Sequence, residues 1–208
     1  MQVAEWIAVF RQELNRPLPG TAIQMRMAPS LMRPANVPLP LRDSSVLLLL
    51  YPVDEKLFTV FIKRTEYGGP HSGQISFPGG KFEDGDPSLV ETALRESNEE
   101  IGLSPDAVEV LGKLTPLHIS ISNFRILPVV GFTAERPAFI TDPQEVDHLI
   151  EAGLEQLLKP EIVKTEILTF GDLSVQVPYF DIDGHHVWGA TAMVLSEFLE
   201  IIRRIVLP

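Results

Sequence analysis

An α+β or α/β/α domain is the fold class that the sequence predicts, on three observations. Two strand-length apolar runs, "SSVLLLLYP" and "LFTVFIKR", flank a short polar spacer, "VDEK". A helix-forming segment with its own start and stop signals runs from about Asp86 to Gly102. Beyond it, strand and helix patterns interleave irregularly, without the regular alternation of a parallel wound sheet.

Taken in order, residues 2 to about 15 form an amphipathic helix, with Val3, Ile7, Phe10 and Leu14 on one stripe. The next stretch, "RPLPGTAIQMRMAPSLMRPANVPLPLRD", carries too many prolines for long regular elements and reads as an arm. It either wraps the domain or reaches a second subunit, so a homodimer is one expectation. The organisation expected is a helix and arm over 1–41 and the main domain over 42–208. The two apolar runs form a β-hairpin. "GGPHSGQISFPGG" is a glycine-rich loop holding a short strand, and Pro78-Gly79-Gly80 permits a sharp turn. Asp86 as N-cap and Pro87 in the first turn open the central helix, and Gly102 ends it. "VEVLGKL", "FRILPVVGF", "EIVKTEILTF" and "LSVQVPYFDI" read as strands. "GLEQLLK" is a short helix, and "WGATAMVLSEFLEIIRRIVL" closes the chain as a long one.

The composition narrows the function. A chain of 208 residues with 45% hydrophobic content suits one globular domain with a real core. A net charge of −11 repels polyanions, which argues against nucleic acid but allows a small anionic substrate neutralised by divalent cations. With no cysteine, disulfides, thiolate metal sites and cysteine nucleophiles are excluded. The opening "MQVAEWIAVF" lacks a basic leader, and no apolar run approaches the roughly 20 residues of a membrane span. A cytoplasmic protein with no membrane partner is expected.

The chemistry concentrates in "RESNEEIG", Arg95 to Gly102. At about 100° per residue, Glu96, Glu99 and Glu100 share one helix face, while Val90, Leu94, Ser97 and Ile101 share another that can pack on a sheet. Arg95 lies four residues from both Glu91 and Glu99 and can pair with either. Three carboxylates near a helix C-terminus oppose the macrodipole. That cost points to a bound cation, and oxygen donors suit Mg2+ or Mn2+.

Glycine loop, capped helix, Arg-Glu pair, two further glutamates and a final glycine together resemble the signature of the Nudix hydrolase family. "RESNEEIGL" matches its second half except at Ser97, where an apolar residue is usual. In the first half, Asp86 stands six residues after Gly80 where the signature has glutamate, and the interval to Arg95 is one residue longer. "RTEYGGPHSGQISFPGG", "TPLHISISNFRILPVVGF" and "WGATAMVLSEFLE" resemble the coenzyme A pyrophosphatase branch, over about residues 42 to 205. Gly69 stands where that branch has a second arginine, and Phe61-Ile62 replace its Leu-Thr pair.

The resemblance implies a Nudix-like α/β/α sandwich, with a mixed sheet between helices. It implies Mg2+- or Mn2+-dependent cleavage of a nucleoside diphosphate derivative at its pyrophosphate bond. Coenzyme A or acyl-coenzyme A would give adenosine 3′,5′-bisphosphate and (acyl-)phosphopantetheine. Glu96, Glu99 and Glu100 are the implied metal ligands. Glu99 is the first choice for general base, and Glu145, in "TDPQEVDH", is a distal candidate. Arg64 is a candidate phosphate ligand, and Gly79 and Gly80 let backbone approach metal or substrate. Arg95 orients the glutamates. His71, Ser72 and Gln74 either face substrate or stabilise their loop. His118, His185 and His186 read as structural, and Trp188 as core or dimer contact. ADP-ribose or a dinucleotide is the alternative substrate, and a non-catalytic nucleotide-sensing module the alternative class.

Overall fold

A computed structural model describes residues 2–30, 41–66, 68, 72–119, 123–170 and 173–206. The central strand β1 (Arg42–Val53) explains the layering. Leu48 and Leu50 face one core cluster, and Leu47, Leu49 and Tyr51 face another. All five are fully buried. A strand buried on both faces needs a layer on each side, which is why this run is continuously apolar. β1 turns into β2 (Lys56–Arg64) through Asp54 and Glu55, both at positive φ, the twist-matched geometry of a tight hairpin.

β3 (Ile75–Ser76) pairs with β2, as the glycine-rich loop suggests. Pro78-Gly79-Gly80 departs from the sharp turn expected. Gly79–Lys81 is a short strand, β4, antiparallel to Ser44–Val46 of β1. Gly79 sits at φ +149, and a Cβ there would lie 2.3 Å from the Ser45 carbonyl oxygen. Glycine is therefore needed for backbone to pass over backbone.

The helix α3 spans Leu89–Ile101. Its N-cap is Ser88, whose Oγ accepts from the Glu91 amide, and not Asp86 as the sequence suggests. Asp86 is committed elsewhere, as described below. Gly102 ends the helix at φ +68, as expected. Leu94, Ser97 and Ile101 are buried against β1, and the Ser97 hydroxyl donates to the Ala93 carbonyl, which satisfies a polar group where an apolar one is usual.

β5 (Glu109–Lys113), β6 (Leu117–Ile119) and β7 (Phe124–Phe132) follow, and β7 runs parallel to β1. β8 (Val146–Gly153) lies antiparallel along β2. Among the described residues the result is an eight-stranded mixed sheet. The one-turn helix α4 (Leu154–Leu157) leads to a separate three-stranded antiparallel sheet of β9 (Val163–Phe170), β10 (Leu173–Ile182) and β11 (His185–Trp188), with β10 central. Glu161 and Ile162, read as strand, form a 3-10 turn instead. β6, β8 and β11 were not among the strands expected.

The closing helix α5 (Gly189–Val206) buries Ala192–Leu199 in the face opposite α3. The N-terminal helix α1 (Val3–Leu14) packs there, with Phe10 stacked on Phe198 at 5.4 Å. The arm, up to residue 30, wraps the same core. Its helix α2 (Thr21–Gln24) lies on α5, and Met27 is buried. The carboxylate of Glu197 in α5 ties this layer together. It accepts from Gly20 N, Gln24 Nε2, Thr115 N and Thr115 Oγ1 at 2.6–3.2 Å. Among the described residues no helix is long and apolar enough to cross a membrane.

Candidate active site

Four pieces of chain meet at the C-terminal half of α3: the end of β2, β4, the helix itself, and the turn from Asp142 to Glu145. The turn is fastened to the helix end. Asp142 N donates to the Glu100 carbonyl and Ile140 N to the Ile101 carbonyl, both at 3.0 Å, so carbonyls left open by helix termination are satisfied. Thr65 N donates to the Glu145 carbonyl, which links this turn to β2.

The three glutamates of α3 share a face but occupy different environments. Glu100 is buried, its side chain 1% exposed. Its Oε2 accepts from Gly79 N at 2.8 Å, and its Oε1 from Arg64 Nη1 at 3.1 Å. Burial pushes its carboxyl up to about 7, against the opposing effects of the Gly79 amide and Arg64, and the charges of Glu96 and Glu145 add to the rise. Glu96 is largely buried against Gly80, where an added Cβ would stand 2.3 Å from its carboxylate carbon. Burial raises its pKa too. Glu99 is more than half exposed and accepts from Arg95 Nη1 at 2.9 Å.

Arg64 bridges the helix and the turn. Besides Glu100, its Nη2 lies 3.6 Å from Glu145 Oε2, an ion pair longer than a hydrogen bond. Glu145 is half exposed and sits just before β8, at the rim of this cluster. The structure thus brings together all seven predicted site residues: Arg64, Gly79, Gly80, Glu96, Glu99, Glu100 and Glu145.

Arg95 pairs with Glu99, not Glu91, and makes its strongest attachment to Asp86. Its Nε and Nη2 donate to the two Asp86 oxygens at 2.9 and 3.1 Å, and Nη2 also donates to the Lys81 carbonyl at 3.0 Å. The same nitrogen lies 3.1 Å from Glu96 Oε1. Asp86 also accepts from Thr92 Oγ1 and Glu83 N. The Arg95 hydrogen bonds hold its carboxyl well below the usual carboxylate range. Sequence reasoning missed this residue as a site component. The available signal was an acid six residues after Gly80, shorter by one methylene than the glutamate of the signature.

The donor set of Glu96, Glu99 and Glu100 is all carboxylate oxygen, and Gly80, by lacking a Cβ, makes room for the Glu96 carboxylate itself, so these residues fit a hard divalent cation. Among the described residues, no three acidic or histidine side chains already stand converged as a cage. Each glutamate is held by an arginine or an amide instead. A cleft of about 510 Å³ lies apart from them, lined by Lys63, Ser72, Gln74, Glu166, His185 and Trp188 among others. Ser72, Gln74 and Trp188 thus face that cleft rather than the carboxylates. His186 stacks on Tyr179 and lies 3.4 Å from Glu166. His71 and Gly69 lie outside the described residues.

The family model described as the NUDIX domain matches residues 41–182. Nudix hydrolase 22, chloroplastic, of Arabidopsis thaliana is 32% identical over 205 residues, covering 95% of this chain and 65% of that protein. The uncharacterized Nudix hydrolase NudL of Yersinia enterocolitica is 32% identical over 198 residues, covering 95% of this chain and 92% of the relative. The chain therefore spans somewhat under two thirds of the plant relative and nearly all of the bacterial one. Among solved structures, the Nudix hydrolase RenU from M. smegmatis aligns with a TM-score of 0.52 at 13% identity, over 80% of this chain and 87% of that one. The MutT protein from Methanosarcina mazei aligns at 0.50 and 16% identity, over 81% and 99%. These two likenesses show the fold.

Proposed function

Since this chain belongs to the Nudix family of hydrolases, we propose that it cleaves the pyrophosphate bond of a nucleoside diphosphate derivative with the aid of a divalent cation, and that coenzyme A or an acyl-coenzyme A is that derivative. The observation that carries the reading is the Arg64 bridge between buried Glu100 and half-exposed Glu145, beside the Gly79-Gly80 strand.

Glu96, Glu99 and Glu100 would hold Mg2+ or Mn2+, which when bound offsets the charge of the diphosphate and acidifies water. Arg64 binds the phosphate. Its Nη2 contact with Glu145 is long at 3.6 Å, so a phosphoryl oxygen takes that nitrogen at little cost. Glu145, released from Arg64, then accepts the proton of the attacking water at its carboxylate. Glu99 is the second candidate for that proton, although one of its oxygens is already occupied by Arg95. Arg95, anchored on Asp86 and the Lys81 carbonyl, positions Glu96 and Glu99. The stretches flanking the helix, which resemble the coenzyme A branch, support that substrate over other diphosphates.

The test is product analysis with Mg2+ or Mn2+ on coenzyme A, acetyl-coenzyme A, ADP-ribose, NADH and diadenosine polyphosphates. Adenosine 3′,5′-bisphosphate should appear from the coenzyme A compounds. Glu145→Gln should lower kcat by about 10²- to 10⁴-fold, the range for a lost general base. Faster turnover of ADP-ribose or a dinucleotide would overturn the substrate assignment. Tight binding of one nucleotide with no turnover of any would overturn catalysis in favour of a sensing module.

A further inference from the structure

The three-stranded sheet ends at β9, whose far side pairs with no other strand among the described residues. The direction of its free groups follows from β10. Gln176 N donates to Ser30 Oγ, and its carbonyl accepts from Ser30 N, so both point away from β9. Gln176 lies opposite Ile167. In an antiparallel ladder, the partner of such a residue also points away, so the N–H and C=O of Ile167 face the open edge. The register runs without a shift, so those of Thr165 and the carbonyl of Val163 face it as well, while the Val163 N–H donates to the Pro160 carbonyl. On the same stretch Val163 is 44% and Ile167 71% exposed, which leaves an apolar face beside unpaired backbone.

We propose that β9 pairs antiparallel with β9 of a second copy of this chain, with Thr165 opposite Thr165 on the twofold axis. Charge selects this register. With Thr165 at the axis, Lys164 faces Glu166 of the other copy twice, and Val163 faces Ile167 twice. A shift that centres Glu166 sets two glutamates against each other, and one that centres Lys164 sets two lysines together, both unfavourable across a strand pair. Lys164 already pairs with Asp181 and Glu166 with His186. Both heads remain partly exposed, and an ammonium has three donors, so a second contact across the axis is open to each. The pairing joins two three-stranded sheets into one of six and covers the exposed edge. Self-complementarity of this kind favours a second copy over an unrelated strand.

The test is sedimentation equilibrium of the full chain at micromolar concentration, with circular dichroism to verify folding of each variant. The wild type should show twice the 23.1 kDa chain mass. Thr165→Pro removes one edge donor that β10 does not use, and should give the monomer. Lys164→Glu should also give the monomer, while Lys164→Glu combined with Glu166→Lys restores the dimer. A wild type that stays monomeric overturns the proposal, and so does a dimer indifferent to Thr165→Pro. Failure of the double exchange to restore what the single one breaks overturns the register.

Discussion

Gly79 and Gly80 are neighbours in one short strand, yet the structure gives them opposite sensitivities. A Cβ on Gly80 would lie 2.3–2.4 Å from the carbon and both oxygens of the Glu96 carboxylate. That group is the end of a flexible side chain, so it swings aside, and Gly80→Ala should change stability by less than about 1 kcal/mol. The carboxylate must then move by more than 1 Å to reach ordinary contact. A misplacement of about that size in a reacting assembly costs on the order of 10²-fold in rate. A Cβ on Gly79 meets main chain, 2.3 Å from the Ser45 oxygen and 2.6 Å from the Val46 Cα, at φ +149. Neither obstacle swings aside. The unfavourable φ costs about 1–3 kcal/mol and displacement of the central strand about 1–3 more, so Gly79→Ala should lose about 2–6 kcal/mol. Urea unfolding measures the first quantity, and kcat/KM on coenzyme A with Mg2+ the second. Full turnover in Gly80→Ala would show that Glu96 has no part in the reacting assembly. A Gly80→Ala as unstable as Gly79→Ala would refute the distinction between flexible and fixed obstacles.

Two further outcomes follow from buried carboxylates. Glu100, raised from 4.5 to about 7, keeps its proton in the fold where the unfolded chain has released it. The cation-free protein should therefore lose about 3 kcal/mol as pH rises from 4.5 to 7 and level off above, a slope that denaturant titration should find absent in Glu100→Gln. Glu197 is fully buried and takes four hydrogen bonds, so Glu197→Ala should cost at least about 3 kcal/mol and speed exchange of the Gly20 and Thr115 amides. Turnover per folded molecule should be unchanged, because none of those groups touches the glutamates of α3.

What sequence reveals of this fold divides by how local the signal is. β1, β2 and β7 are legible because their apolar runs have strand length, are bounded by polar or turn residues and carry β-branched and aromatic side chains. β8 hides its pattern: Ile150 and Ala152 face one core cluster while Val146 and Leu149 face the other, and a bulge at Asp147 breaks the alternation between them. β4 has almost no side chains to read, and its strand state comes from pairing with β1. At the start of α3, Asp86 and Ser88 are both good N-caps two residues apart. The choice is made by Arg95, nine residues on, whose guanidinium takes the aspartate and leaves the serine to cap.

The helical wheel puts Glu96, Glu99 and Glu100 on one face and makes them look equivalent, but it carries nothing about what lies opposite. Glu100 meets a strand amide and an arginine, Glu96 meets a glycine with no side chain, and Glu99 meets solvent and Arg95. This grading explains how the acidic helix end folds without a cation in place. Arg64 and Arg95 offset the charge, and the most buried carboxyl keeps its proton close to neutral pH. On the proposed function, those same contacts are what a divalent ion would displace. Its binding should therefore release a proton, while a phosphate arriving at Arg64 draws that arginine off Glu145. On this reading cation and substrate each compete for partners that hold the glutamates in their absence, so the two bind more tightly together than apart.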